Sequence, residues 1–170
     1  FHIFTLGDKW EAEEATKKFD EYQIMGLYNR LTGKHQLSEI ELNDVGMAYQ
    51  TCSDLLYKKR FEATLFNNLN LPPSVNGGVF TGSFGEKIYV LWAVTNQDQS
   101  EQASYTLNLT KQTGIDQFVQ HYWHSSTTND SMIVNGQAIH LTGAPVFLTP
   151  VEEEDYSFGT PYLLEVFPNP

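Results

Sequence analysis

The chain has 170 residues, 41% of them hydrophobic and 14% aromatic, enough for the core of one domain or of one small domain plus part of another. Its formal net charge is −11, from 21 acidic and 10 basic residues, and a surface of that sign argues against nucleic acid or an anionic membrane surface as partner. The single cysteine, Cys52, excludes a disulfide within the chain and a cysteine zinc site, and no apolar run approaches the ~20 residues of a membrane span.

Residues 1–6, FHIFTL, read as a buried strand. An opening inside a core strand, with no leader and no Met, predicts a piece of a longer protein. Asp8 is placed to cap a short helix or ordered loop over residues 11–19, EAEEATKKF, whose Glu11, Glu13 and Glu14 suit a helix N-terminal turn. Residues 22–36 predict a hairpin or extended loop turning at Thr32-Gly33. The strongest helix signal spans residues 43–58. Asn43 can cap it, and Val45, Ala48, Tyr49, Cys52, Leu55 and Leu56 recur at three- and four-residue spacing. Lys58, Lys59 and Arg60 suit its negative C-terminal end.

After Arg60 no segment shows helical periodicity, so strands alone are predicted, with FEATLFNNLN (61–70) alternating up to Pro72-Pro73. The stretch from Gly77 to Asn96 predicts an antiparallel hairpin. Its strands are Val79–Thr81 and Lys87–Thr95, around Phe84-Gly85-Glu86, where glycine can take a positive φ. In the second strand Ile88, Val90, Trp92 and Val94 point one way, and Tyr89, Leu91, Ala93 and Thr95 the other. Both faces are apolar, which predicts a central strand covered on both sides. Further short strands are predicted over 103–109, 116–124, 131–135, 137–142 and 144–151, with Asn135-Gly136 as a type I′ hairpin signal. Residues 152–160 read as an acidic surface loop and 162–167 as a last strand. The predicted class is mainly β: an antiparallel β-sandwich preceded by a short α/β segment, with the boundary near residue 60.

Few residues suggest chemistry. His121 and His124 are three apart in a strand and so face opposite ways, which argues against a shared metal. Tyr122 and Trp123 also alternate and read as packing. The run Glu152-Glu153-Glu154-Asp155 lacks the spacing of a calcium loop and reads as solvated charge. Asn108 and Asn129 head Asn-x-Ser/Thr triplets. There is no GxSxG elbow, phosphate loop or dinucleotide fingerprint, and no metal or cofactor is expected.

The succession LNDVGMAYQTCSDLL, FEATL, GGVFTGSFGEKIYVLWAVT and APVFLTPVE resembles the C-terminal end of secreted glycoside hydrolases built on a (β/α)8 barrel. The resemblance implies that FHIFTL is the last barrel strand, MGLYN (25–29) the loop before the last helix, and residues 43–58 that helix. Residues 1–60 are then the end of the barrel and 61–166 a β-domain packed against it. Val166-Phe167-Pro168-Asn169-Pro170 resembles the opening of the sorting domain of the type IX secretion route, which makes residues 167–170 a linker and implies a secreted or cell-surface protein. Such enzymes work with two carboxylic acids, which follow barrel strands four and seven. Neither strand is present, so the resemblance carries over no catalytic residue. The C-terminal end of the first strand would face the barrel mouth, which makes Asp8 and Trp10 substrate-lining candidates. The implied function is the non-catalytic C-terminal part of an enzyme acting on polysaccharide, its partners carbohydrate and the rest of the barrel. The alternative is an independent carbohydrate-binding or cell-surface module, which would present two or three of Tyr105, Tyr122, Trp123 and Tyr156 flat on one surface.

Overall fold

The computed structural model describes residues 26–29, 36, 38, 40–96, 102–124 and 131–151. FHIFTL, the 11–19 segment, Thr32-Gly33, the acidic run from Glu152 and the 162–167 segment lie outside the described residues. Strand β1 (Tyr28–Asn29) pairs antiparallel with β2 (Glu41–Leu42), which leads into α1 (Asp44–Leu56). Asn43 caps α1 as its position predicts. Its Oδ1 accepts from the Gly46 N–H at 2.9 Å, and its Nδ2 donates to the Gly26 carbonyl at 2.8 Å. One amide therefore satisfies an orphan helix donor and ties the helix to the preceding loop. Gly46 suits this close approach, because a Cβ there would run into the Leu27 carbonyl and the Leu42 side chain. Asn43→Ala removes both bonds and is expected to lower stability by about 1 kcal/mol. Urea denaturation followed by circular dichroism measures it, and an unchanged midpoint would show that the cap contributes nothing.

Beyond α1 follow β3 (Arg60–Phe61), α2 (Ala63–Asn68), β4 (Val75–Thr81), β5 (Lys87–Ala93), β6 (Ser104–Leu107), α3 (Thr110–Thr113), β7 (Gln117–Tyr122), β8 (Ser131–Asn135), β9 (Ile139–Thr142) and β10 (Val146–Pro150). The chain is mainly β. One antiparallel sheet has the order β3-β4-β5-β10-β7-β8, and β6 with β9 forms a separate antiparallel ribbon. Leu107, Leu109, Ile139 and Leu141, from the ribbon and its flank, pack onto Val79, Tyr89, Leu91, Phe118, Val146 and Leu148 of the large sheet. On the other face Leu55 and Leu56 of α1 reach Ile88, Val90 and Phe147. The two apolar faces of β5 thus each meet a covering layer, as its pattern predicts. β10 lies beside it and is covered on both faces in the same way.

Two expectations fail. First, helices do occur after Arg60. Residues 61–70 hold α2, whose flank and C-terminal side place Leu65, Phe66 and Leu69 on the ribbon-side core, with Leu69 buried. Its six residues give less than two turns, too few for a 3.6-residue period to stand out. The four-residue α3 ends at Gly114, whose φ of +74° supplies the left-handed cap. Second, Asn135-Gly136 is not a hairpin turn. β8 pairs with β7, and β9 pairs with β6 in the other layer, so the chain crosses between layers here. Asn135 is extended, and its Oδ1 accepts from the Gln137 N–H at 2.9 Å to start a 3-10 turn over Gly136–Ala138. By contrast the turn of the β4–β5 hairpin has Gly85 at a φ of +86°, as predicted.

Candidate functional site

The apolar stripe of α1 divides between two environments. Leu55 and Leu56, in its last turn, sit on the sheet. Val45 and Tyr49 remain 48% and 44% exposed, and Cys52 is exposed as well. With Ala48, Ser53, Leu56 and Trp123 they line an open, largely hydrocarbon groove of about 690 Å³. Cys52 and Leu56 form a ridge shared with a second hollow of about 430 Å³ between the helix and the sheet. Phe61, Gly78, Phe80, Trp92 and Phe147 contribute to its walls. Gly78 makes room for the aromatic rings there, since a Cβ would come within 3.0 Å of the Phe80 ring and 3.3 Å of the Phe61 ring. Phe61 and Phe80 meet edge-on at a centroid distance of 5.8 Å.

Such walls suit the burial of apolar surface, with Asp44 the carboxylate among the lining side chains. Partial burial pushes the Cys52 thiol above its ordinary pKa, the opposite of what an activated nucleophile needs. The groove draws on α1, β3, β4, β5, β10 and the end of β7, so no single stretch of sequence announces it. The helix period names Val45, Tyr49 and Cys52, but it does not reveal how much of their surface stays exposed.

Residues singled out from the sequence are scattered. Asp8, Trp10, Tyr156, Asn129 and the Glu152–Asp155 run lie outside the described residues. Tyr105 is half-buried against the ribbon-side core, whereas Trp123 packs on the helix-side cluster. Tyr122 turns toward the edge, its hydroxyl 3.8 Å from the Met132 sulfur. Tyr105 therefore lies apart from Tyr122 and Trp123, whose rings both neighbour His124, at 6.0 Å and 4.9 Å between centroids. His121 is half-buried within β7, and burial depresses its imidazole pKa. His124 instead meets the Trp123 ring edge-on at 4.9 Å. Asn108 is a turn residue, accepting from the Lys111 N–H at 2.9 Å. Among the described residues no three of His, Cys, Asp and Glu are placed to hold a metal ion, and no helix is long and apolar enough to cross a membrane.

Among solved structures the chain is similar to a family 39 glycoside hydrolase from the gut symbiont Bacteroides cellulosilyticus WH2, with 15% identity and a TM-score of 0.46. The similarity covers 81% of this chain and 24% of that one, so the chain spans about a quarter of that protein's length. No family model matches the sequence, and no curated protein matches it.

Proposed function

We propose that the chain is the C-terminal, non-catalytic part of a secreted glycoside hydrolase acting on polysaccharide. Residues 1–60 supply the last strand and helix of its barrel, and residues 61–166 form a β-domain that packs on the barrel and stabilises it. The observation that carries this reading is the division of the α1 stripe. One end of the helix is seated on the sheet, while the flank from Val45 to Cys52 is apolar and exposed. A helix apolar toward two sides belongs between two bodies. The packing of Tyr105 against the ribbon-side core and of Trp123 against the helix-side cluster favours this scaffold role over an independent sugar-binding module. On this reading Asp8 and Trp10 belong to the substrate-lining rim, the catalytic carboxylates lie in the preceding barrel, and residues 167–170 lead toward a sorting domain.

Cys52 reports on the arrangement because it stands on the groove's ridge. Alkylation of Cys52 is expected to be at least about tenfold slower in a polypeptide that continues upstream through the barrel than in the 170-residue chain, because a covered thiol reacts only through local opening. Mass spectrometry of the Cys52 peptide over time measures both rates. Equal rates would rule out a barrel seated on this flank.

A further inference from the structure

We infer that the corner where α1 hands over to the sheet binds an anionic sugar unit, one bearing a carboxylate or a sulfate. Lys58, Lys59, Arg60 and Lys87 gather there, four of the five lysines and arginines among the described residues. Strand pairing sets Arg60 opposite Thr81 and Thr81 opposite Lys87, so the three stand in one row across β3, β4 and β5. Lys58, Lys59, Arg60, Glu62, Thr81 and Ser83 line a pocket of about 640 Å³. That volume falls within the roughly 300–1,000 Å³ of small-ligand sites.

Of the three cations that line the pocket and the nearby Lys87, only Lys59 is ion-paired among the described residues. Lys59 Nζ lies 3.3 Å from Glu86 Oε1. Lys58 Nζ lies 5.1 Å from the centroid of the neighbouring Tyr57 ring. Arg60 and Lys87 are exposed and make no ion pair among the described residues. Four cations thus face two carboxylates, Glu62 and Glu86, in a chain whose formal net charge is −11. Lys58 also has a φ of +58°, a conformation that glycine takes without strain. The strained position is filled by a charged residue that projects beside the pocket.

Glu62 decides the class of ligand. Its Oε1 accepts from the Thr81 hydroxyl at 3.2 Å, which holds a carboxylate in the pocket wall. Any anionic group set against Glu62 is repelled, so a ligand's charged end must lie on the Arg60 and Lys58 side, and a bare phosphate has little else to offer Glu62. A sugar offers hydroxyls that donate to Glu62, while its carboxylate or sulfate takes the planar fork of Arg60 and the ammonium of Lys58. The ligand class rests on the polysaccharide reading above, and it adds a contact that a purely structural domain does not need.

The test is calorimetric and NMR titration of the 170-residue chain with four probes: oligogalacturonate, a sulfated chondroitin oligosaccharide, an uncharged galactose oligosaccharide and inorganic phosphate. The expected result is binding of a charged oligosaccharide, with shifts centred on residues 58–62 and 81–87. Which charged probe binds better separates carboxylate from sulfate. Arg60→Gln and Lys58→Gln are each expected to weaken it about tenfold, with unchanged circular dichroism. Wild-type affinity in both variants overturns the proposal, as does the absence of binding by every probe. Equal binding of the uncharged oligosaccharide overturns it too, yet leaves the polysaccharide reading intact. Phosphate binding alone overturns the sugar assignment, and the Cys52 protection experiment stands apart from all these outcomes.

Discussion

Phe118→Ala is expected to cost about 3–5 kcal/mol of stability, as large aromatic truncations in sealed cores do. Phe118 has no exposed surface and belongs to the cluster that joins the large sheet to the β6–β9 ribbon. Its ring meets Tyr89 edge-on at a centroid distance of 5.8 Å and lies close under Gly136. The removed ring has no neighbour free to fill its place, because Leu91, Leu109, Ile139, Leu141 and Leu148 around it are themselves almost fully buried. Urea denaturation gives the loss directly. A second readout comes from Tyr89, whose phenol burial pushes above its ordinary pKa. The cavity is expected to admit water and bring that titration back toward the ordinary tyrosine value, which ultraviolet absorbance against pH records. A loss below about 1 kcal/mol would mean that the core collapses around the gap.

Gly136→Ala is expected to cost about 1–3 kcal/mol through overpacking. The new Cβ would lie 2.5 Å from Thr110 Oγ1, 2.7 Å from the Ile115 carbonyl oxygen and 2.8 Å from the Phe118 ring. Retreat is blocked on both sides. The Gly136 N–H donates to the Asp116 carbonyl at 2.7 Å, and the Gly136 carbonyl accepts from the Leu109 N–H at 2.7 Å. Thr110 is held as well, its hydroxyl donating to the Ile115 carbonyl at 2.8 Å. Gly136 has no positive φ, so the penalty is steric and not conformational. Adding Thr110→Ala to Gly136→Ala is therefore expected to recover only part of the loss, since the Ile115 carbonyl stays in place. Thermal melts of the single and double variants decide this. An unaffected single variant would mean that the layer crossing yields more readily than its bonded backbone implies.

Local patterns were enough for several elements. The continuous apolar run after Lys87, through Ala93, announces a strand covered twice, and Asn43 followed by a 3.6-residue stripe announces α1 with its cap. Gly85 announces the turn between β4 and β5. Each signal is carried by residues close in sequence, so propensity and period suffice to read it. Asn135-Gly136 shows where this fails. The pair has the same composition as a hairpin turn, but its role is set by Thr110, Ile115 and Phe118 packing against Gly136. The candidate sites were less legible still. Arg60 and Lys87 lie far apart in the chain and share a row only because β3 and β5 both pair with β4.

The amino-acid sequence alone determined that this protein is mainly β, with one amphipathic helix ahead of a twice-covered central strand. Hydrophobic periodicity encodes which faces must be buried. Tertiary structure alone decided what buries them: the ribbon on one side, and on the other a helix seated by its last turn only. That choice leaves the Val45–Cys52 flank exposed and collects four cations at one corner of the sheet. Burial demand is written locally, but the partner that satisfies it depends on strand pairings between distant segments.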